Sequence, residues 1–338
     1  MIEIIKTWTT QNDAEEMEFL EDFQKRQESG NWVSYLNGKS VCEISLEDGT
    51  HIRSIFEEDG IYRPENLECA DVHLSDKCEV GCKFCYANCT RDGKVADIER
   101  FISSPWFQSL KPGMEMACNL NEFKGNIDHL EKLLDACKEK GILANVTVEQ
   151  RTYMKNKEVL HCFQIEGKLF GIGVSVKVID EYLLKDLEEC RNVVAHTITG
   201  ITPVTGYQKL IANKVKILIL GYKDIGRGTQ FKVEDESNKI EMNRLALKRY
   251  IKFLLDTKVS CLLSFDNLAI DQLGIKDMIS EENYGKFFRG EEATCTYFVN
   301  AVSMQYALNS LDSENLKSIE NKTSQEILKL VRREGGHE

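Results

Sequence analysis

The sequence lacks any long apolar run. The chain of 338 residues begins Met-Ile-Glu-Ile-Ile-Lys, and acidic residues follow soon afterwards. A secretory signal or a membrane-spanning helix needs a longer uninterrupted apolar stretch. We therefore expect neither a signal peptide nor contact with a membrane.

The sequence also lacks an excess of positive charge. It contains 43 Lys and Arg against 55 Asp and Glu, which gives a net charge of −12. Binding along a nucleic acid requires a basic surface, so nucleic acid is an unlikely class of partner on this composition. The glycines near Gly226 and Gly228 lack the Gly-Lys-Ser/Thr ending of a phosphate-binding loop, so binding of a nucleoside triphosphate gains no support.

The twelve cysteines are too few and too scattered for a disulfide framework. Free thiols suit a reducing compartment, so we expect a cytoplasmic protein. With 42% hydrophobic and 29% charged residues, the composition is that of an ordinary globular protein.

The N-terminal part, residues 1–65, reads as a helix followed by a β-meander. Met17, Leu20 and Phe23 share one helical face within residues 11–30, and Gly30 is a suitable stop. Between residues 32 and 56, tight turns at Asn-Gly and Asp-Gly separate three short strands.

Residues 66–312 alternate strands and helices, which predicts an α/β fold with a parallel sheet in a closed or partial barrel. The predicted strands are 71–77, 114–118, 144–150, 171–176, 193–199, 215–222, 259–266 and 294–302. The clearest predicted helices are 128–140 and 243–256. The remaining residues, 313–338, are charged and read as a helical tail.

Three cysteines directly follow the first predicted strand of this region. Cys78, Cys82 and Cys85 are spaced C-x3-C-x2-C, and thiolates at such spacing can hold an iron–sulfur cluster with one iron left open. With Cys89, the group could instead hold zinc, although zinc sites usually pair two short cysteine hooks that lie far apart in the sequence.

This spacing, with the aromatic Phe84 before the last cysteine, resembles the signature of the radical SAM superfamily, in particular uncharacterised single-cluster members of bacteria and phages. The resemblance implies a [4Fe-4S] cluster, S-adenosylmethionine (SAM), and an electron donor such as flavodoxin or ferredoxin. It also implies a partial (β/α)6 barrel, here extended by one or two C-terminal strands. Beyond residue 200 only Cys261 and Cys295 occur, so we expect a single cluster.

The resemblance also assigns residues to SAM binding. At the end of the second strand, Ala117, Cys118 and Asn119 replace the Gly-Gly-Glu of the family; Ala117 keeps a carbonyl and Asn119 a side-chain acceptor. Cys118 is either a thiol near the cluster or a buried apolar residue.

Further along the chain, Thr147 and Ser175 correspond to strand-end contacts of SAM, and Gly200 to part of an adenine-binding motif. His196 replaces the first glycine of that motif, and a lone histidine in a strand is more often a core residue than a catalytic one.

The carboxyl ends of the strands indicate where a substrate would bind, because ligands of α/β barrels lie there. Gln150, Lys223, Asp266 and Asn267 are the polar groups that we predict to face the substrate, or else to cap helices and form loop salt bridges.

Together these features favour a radical SAM enzyme that cleaves SAM to a 5′-deoxyadenosyl radical and removes hydrogen from a peptide or small molecule. A non-catalytic iron–sulfur or SAM-binding protein, a nucleotide- or base-modifying radical SAM enzyme and a zinc-stabilised interaction domain are the alternatives.

Overall fold

The computed structural model describes residues 1, 14–119, 127–190, 192–288, 293–312 and 315–337. Its N-terminal part consists of helix α1 (Ala14–Ser29) and an antiparallel sheet of β1 (Trp32–Leu36), β2 (Ser40–Ser45) and β3 (His51–Ile55). The buried side chain of Phe23 packs with Val41 beneath this sheet. The predicted helix and meander are therefore present.

A ten-stranded sheet follows, in the spatial order β10-β9-β8-β7-β6-β5-β4-β11-β12-β13. Its strands are β4 (Cys69–His73), β5 (Glu115–Asn119), β6 (Leu143–Glu149), β7 (Gly171–Ser175), β8 (Val193–Ile198), β9 (Ile217–Leu220), β10 (Leu263–Phe265), β11 (Thr296–Asn300), β12 (Gln305–Ala307) and β13 (Lys317–Ser318). Strands β4 to β10 are parallel to one another, as the alternation of elements predicts.

The helices that connect and cover these strands complete the α/β architecture. They are α2 (Ile98–Ile102), α3 (Pro105–Gln108), α4 (Ile127–Glu139), α5 (Gln150–Ile165), α6 (Glu181–Glu189), α7 (Val204–Ala212), α8 (Arg227–Val233), α9 (Lys239–Thr257), α10 (Asn267–Leu273), α11 (Glu281–Phe287) and α12 (Ser324–Glu334). A 3-10 turn at Ile275–Asp277 follows α10. Among the described helices, none is long and apolar enough to cross a membrane.

The C-terminal strands extend the sheet at both of its edges. Strand β10 continues beyond β9, whereas β11 pairs in parallel with β4 at the opposite edge and carries β12 and β13 with it. Alternation along the sequence could not indicate this placement, because it orders strands along the chain and not across the sheet.

The faces of the helices agree with the apolar pattern at most positions. In α4, Leu130, Leu133, Leu134 and Cys137 are all buried, as predicted. In α9, the predicted inward positions Leu245 and Leu255 are 46% and 44% exposed, so that part of the prediction is wrong.

The C-terminal tail contains more than the helix that its composition suggested, because β13 precedes α12 and adds an edge strand to the sheet. Ile327, Leu328 and Val331 of α12 are buried in the main core. The domain boundaries at 65 and 312 stay predictions.

Candidate cofactor site and adjoining cavity

The loop after β4 holds its three cysteines on a backbone that is fixed at several points. The amide of Cys78 donates to the carbonyl of Thr90 at 2.8 Å, and the amide of Cys85 donates to that of Cys82 at 3.3 Å. Cys78, Cys82 and Cys85 all line a cavity of about 400 Å³ at the carboxyl ends of the strands, which we call the first cavity.

Arg227, the first residue of α8, ties this loop to the far side of the barrel. Its amide donates to the carbonyl of Cys85 at 3.1 Å, its Nε to that of Cys82 at 3.0 Å, and its Nη1 to that of Cys89 at 3.0 Å. A planar guanidinium suits such a fork of acceptors, so Arg227 positions the loop. Sequence reasoning did not identify it.

The thiols of the loop differ in how readily they ionise. A hydrogen bond from the Cys89 thiol, aided by the charge of Arg227, lowers the pKa of Cys85 to about 5, while burial raises the pKa of Cys78. The ammonium of Lys177 lies 3.1 Å from the sulfur of Cys82 and 3.3 Å from a carboxylate oxygen of Glu149. Thiolates are the form that binds metals, and the surroundings of Cys85 favour its thiolate.

Cys89 differs from the other three cysteines. It is 4% exposed, contacts the carbonyl of Ser75 at 3.7 Å, and is not part of the wall of the first cavity. The arrangement therefore offers three cysteines, as a cluster with one open iron requires.

The separation of the sulfur atoms distinguishes a cluster from a single zinc ion. Tetrahedral zinc with Zn–S bonds of ~2.3 Å places its sulfurs about 3.8 Å apart. In the described part of the chain, the only group of three potential ligands whose atoms all lie within 4.8 Å is His161, Asp186 and Cys190. The wider spacing of Cys78, Cys82 and Cys85 disfavours a single zinc ion.

The remaining wall of the first cavity is part apolar and part charged. Phe84, Ile198 and Ile201 supply apolar surface. Lys177 and Lys209 supply positive charge beside Arg227, and Glu149, which pairs with Lys177, supplies one carboxylate. Such a cavity can hold a molecule that has a flat ring at one end and a carboxylate at the other.

A second cavity, of about 370 Å³, extends into the barrel beside the first. Phe84, Tyr86, Ser175, His196 and Ile198 line both cavities, so the two adjoin. The second cavity brings together the predicted residues Ala117, Cys118, Asn119, Thr147, Lys223 and Asp266.

Asn119 is already engaged by the protein. Its Oδ1 accepts from the amide of Leu74 at 3.2 Å, and its Nδ2 lies 2.9 Å from Nδ1 of His73. Nε2 of His73 in turn lies 2.7 Å from a carboxylate oxygen of Asp76. This chain of hydrogen bonds joins the end of β5 to the segment just before Cys78.

Cys118 alternates along β5 with the partly accessible Ala117 and Asn119. It is 2% exposed, and burial raises its pKa well above the ordinary value, with Cys137 of α4 as a neighbouring thiol. Although Cys118 adjoins the second cavity, its buried thiol near Cys137 fits the interpretation as a buried apolar residue better.

Two of the four residues predicted to face the substrate make backbone contacts instead. Gln150 donates to the carbonyl of Val178 at 2.7 Å and accepts from the amides of Lys177 and Val178 at 2.8 and 2.9 Å. Asp266 caps α10, accepting from the amides of Ala269 at 2.7 Å and Gly221 at 2.9 Å, although it also borders the second cavity.

Two further predicted residues line neither cavity. Asn267 is the first residue of α10, and Gly200 forms a turn with φ +80° against Ile240. Lys223, by contrast, reaches the second cavity, where its ammonium donates to Oγ of Ser310 at 2.6 Å and lies 4.1 Å from the ring centre of Tyr86.

His196 lies between the two cavities. Its ring rests against Gly173, where the Cβ of any other residue would collide with it. Burial lowers the pKa of His196 to about 4, and its Nδ1 is buried with no hydrogen-bond partner among the described residues. It is therefore a neutral imidazole and, contrary to the interpretation as an ordinary core residue, it borders both cavities.

Comparison with known proteins identifies the fold. No protein-family model and no curated protein matches the sequence. The structure of Streptococcus suis SuiB bound to its precursor peptide SuiA superposes with a TM-score of 0.57 at 11% identity, covering 88% of this chain and 87% of SuiB. SuiB bound to S-adenosylmethionine gives a TM-score of 0.50, also at 11% identity, over 82% of this chain and 81% of SuiB.

At this level of identity the likeness establishes the fold. It confirms the predicted α/β fold, a partial barrel extended by C-terminal strands, over most of the chain, in the form that SuiB has.

Proposed function

We propose that this protein is a single-cluster radical SAM enzyme that acts on a peptide or small molecule in a reducing, cytoplasmic setting. The observation that carries the proposal is the placement of Cys78, Cys82 and Cys85 on one cavity at the carboxyl ends of the barrel strands. Catalytic groups of α/β barrels converge at this end.

In this proposal the three cysteines hold a [4Fe-4S] cluster, and the first cavity holds SAM. When bound, the pair supplies a 5′-deoxyadenosyl radical, formed by one-electron cleavage of SAM, that removes a hydrogen atom from the substrate. Lys177, Lys209 and Arg227 bring positive charge to the SAM carboxylate, and Phe84 and Ile198 offer apolar surface to the adenine.

The second cavity holds the substrate in this proposal, because it shares five lining residues with the first cavity. The SAM contacts predicted at Ala117, Asn119 and Thr147 would be made from the wall of the second cavity. The SuiB structures contain SAM in one case and a precursor peptide in the other, and this supports SAM as cofactor and a peptide as substrate. A single cluster needs an external electron donor such as flavodoxin or ferredoxin.

A second candidate function follows from Asn119. Its side chain is held by Leu74 and His73 and replaces the acidic residue of the family motif. A protein that binds the cluster and SAM without cleaving SAM would also tolerate this change.

Formation of 5′-deoxyadenosine by the anaerobically reconstituted, reduced protein tests the proposal. We expect SAM cleavage by wild type and by Cys162→Ser, an exposed cysteine that serves as the matched control. Cys82→Ser should form none. Cluster-loaded wild type that binds SAM but forms no 5′-deoxyadenosine would establish the second candidate instead.

A further inference from the structure

Asp71 is a charged residue in the middle of a central strand of the barrel. It alternates along β4 with Ala70 and Val72, which are 0% and 2% exposed on the helical side of the sheet. Successive side chains of a strand point to opposite faces, so Asp71 faces the interior, where it lines the second cavity.

The neighbours of Asp71 on the adjoining strands cannot pair with its charge. In register it lies beside Ala117 of β5 and Phe298 of β11. Within the described ranges its carboxylate makes no hydrogen bond and no ion pair. The enclosing walls of the barrel raise the pKa of Asp71 although its side chain is open to the cavity, and the charge of Lys223 opposes that rise only in part.

The other charged groups around the second cavity are already occupied. Asp266 accepts two backbone amides, and Lys223 is directed to Ser310 and to the ring of Tyr86. His73 is bonded to Asp76, and His196 is neutral. Two carboxylates thus face one ammonium, which leaves the cavity with an excess of negative charge at Asp71.

Asp71 is exposed to this cavity, and a carboxylate that the protein leaves unpaired on a cavity wall is a candidate for ligand binding. We propose that Asp71 binds a cationic group of the substrate, an amine or a guanidinium, in the second cavity. In a peptide this group is the side chain of lysine or arginine or the N-terminal amine. The proposal rests on the proposed function, because it takes the second cavity as the substrate site.

The aromatic residues near Asp71 suit the same ligand chemistry. Phe298 adjoins Asp71 in the sheet, and Phe84 and Tyr86 line the same cavity. Aromatic faces attract ammonium and guanidinium groups, most strongly where water is excluded. A cation held by Asp71 would therefore find both a counter-charge and favourable surface.

Binding of n-butylammonium, measured by calorimetry on the anaerobic cluster-loaded protein, tests the inference, with n-butanol as the uncharged probe of similar shape. Wild type should bind butylammonium saturably and more tightly than butanol. Asp71→Asn should weaken the binding of butylammonium at least about tenfold, because the charge pair inside the cavity is lost.

Two variants keep this test decisive. Asp71→Glu retains the charge and should retain the preference for ammonium over alcohol, whereas Glu320→Gln changes an exposed carboxylate and should bind as wild type does. Equal binding of the two probes by wild type, unchanged binding by Asp71→Asn, or no saturable binding of butylammonium would overturn the inference. These binding measurements do not depend on SAM cleavage, so a negative result here is distinguishable from a failure of the proposed function.

Discussion

The polar groups at the two ends of the parallel sheet are paired in opposite ways. At the amino end, the carboxylate of Glu68 forms an ion pair with the guanidinium of Arg53 at 2.6 Å and accepts a hydrogen bond from the hydroxyl of Tyr62. It also lies 3.3 Å from the thiol of Cys42. At the carboxyl end, Asp71 and Nδ1 of His196 have no hydrogen-bond partner in the part of the chain that the structure describes.

The paired groups at the amino end stabilise the fold, whereas the unpaired groups at the carboxyl end are available to a ligand. Arg53, Tyr62 and Cys42 belong to the N-terminal part, so their pairing with Glu68 joins the meander to the barrel. A polar group that the fold leaves unpaired raises the free energy of the folded state unless a ligand pairs with that group. The predictions below test this contrast.

The largest expected effect is the loss of iron in the cysteine variants. Cys78→Ser, Cys82→Ser or Cys85→Ser each removes one of three ligands, so iron should fall from about four atoms per chain to nearly none. Cys162→Ser should keep its iron. Iron and sulfide analysis after anaerobic reconstitution measures this, and full retention of iron by all three variants would exclude these cysteines as ligands.

The second largest expected effect is a loss of stability when the Glu68 network at the amino end of the sheet is broken. Glu68→Ala removes the buried carboxylate that pairs with the half-buried Arg53 and should lower the free energy of unfolding by about 3 kcal/mol. Glu320→Ala, which breaks an exposed pair with Arg100, should cost less than about 1 kcal/mol. Urea unfolding measures both, and equal costs would contradict the structural role of the Glu68 network.

A pH dependence should follow from His196. Its pKa is lowered from 6.5 to about 4, so the unfolded chain takes up a proton before the folded chain does. The stability that this residue contributes is complete above pH 6.5 and is lost as the pH falls toward 4, by up to about 3 kcal/mol. His196→Gln should lose correspondingly less stability between pH 7 and pH 4.5, and an identical loss in both proteins would contradict the neutral assignment.

The smallest expected effect is on the free energy of unfolding of Asp71→Asn, which should not fall. Asp71→Asn removes a charge that makes no hydrogen bond or ion pair with the described residues, so the free energy of unfolding should stay constant or rise by less than about 1 kcal/mol. Urea unfolding alongside Glu68→Ala measures the contrast. A loss as large as that of Glu68→Ala would mean that Asp71 is a structural residue like Glu68.

Much of the fold could be predicted because it depends on local patterns. Apolar spacing gave the strands and α4, and Gly30 ended α1 as expected. The edge position of β11 depends on pairing between distant segments, which periodicity does not contain. Leu245 and Leu255 continued an apolar pattern in α9, but neither is covered by the core.

The candidate site was predictable only where residues lie together in the sequence. The three cysteines and Phe84 occupy one loop, whereas Arg227 reaches them from α8, more than a hundred residues later. Asp71 did carry a signal, since a charged residue in a central parallel strand must face a cavity or a partner. Asp266 resembled a substrate ligand because helix caps use the same residue types, and Gln150 did so because a side-chain amide binds the backbone of a neighbouring loop equally well.

The central claim is that Cys78, Cys82 and Cys85 hold a cluster with an open iron that meets SAM. An EPR spectrum of the reduced, reconstituted protein before and after addition of SAM tests it most directly. The account predicts about four irons per chain and a cluster signal that changes when SAM is added. Zinc without sulfide, or an iron signal that SAM leaves unchanged, would contradict it.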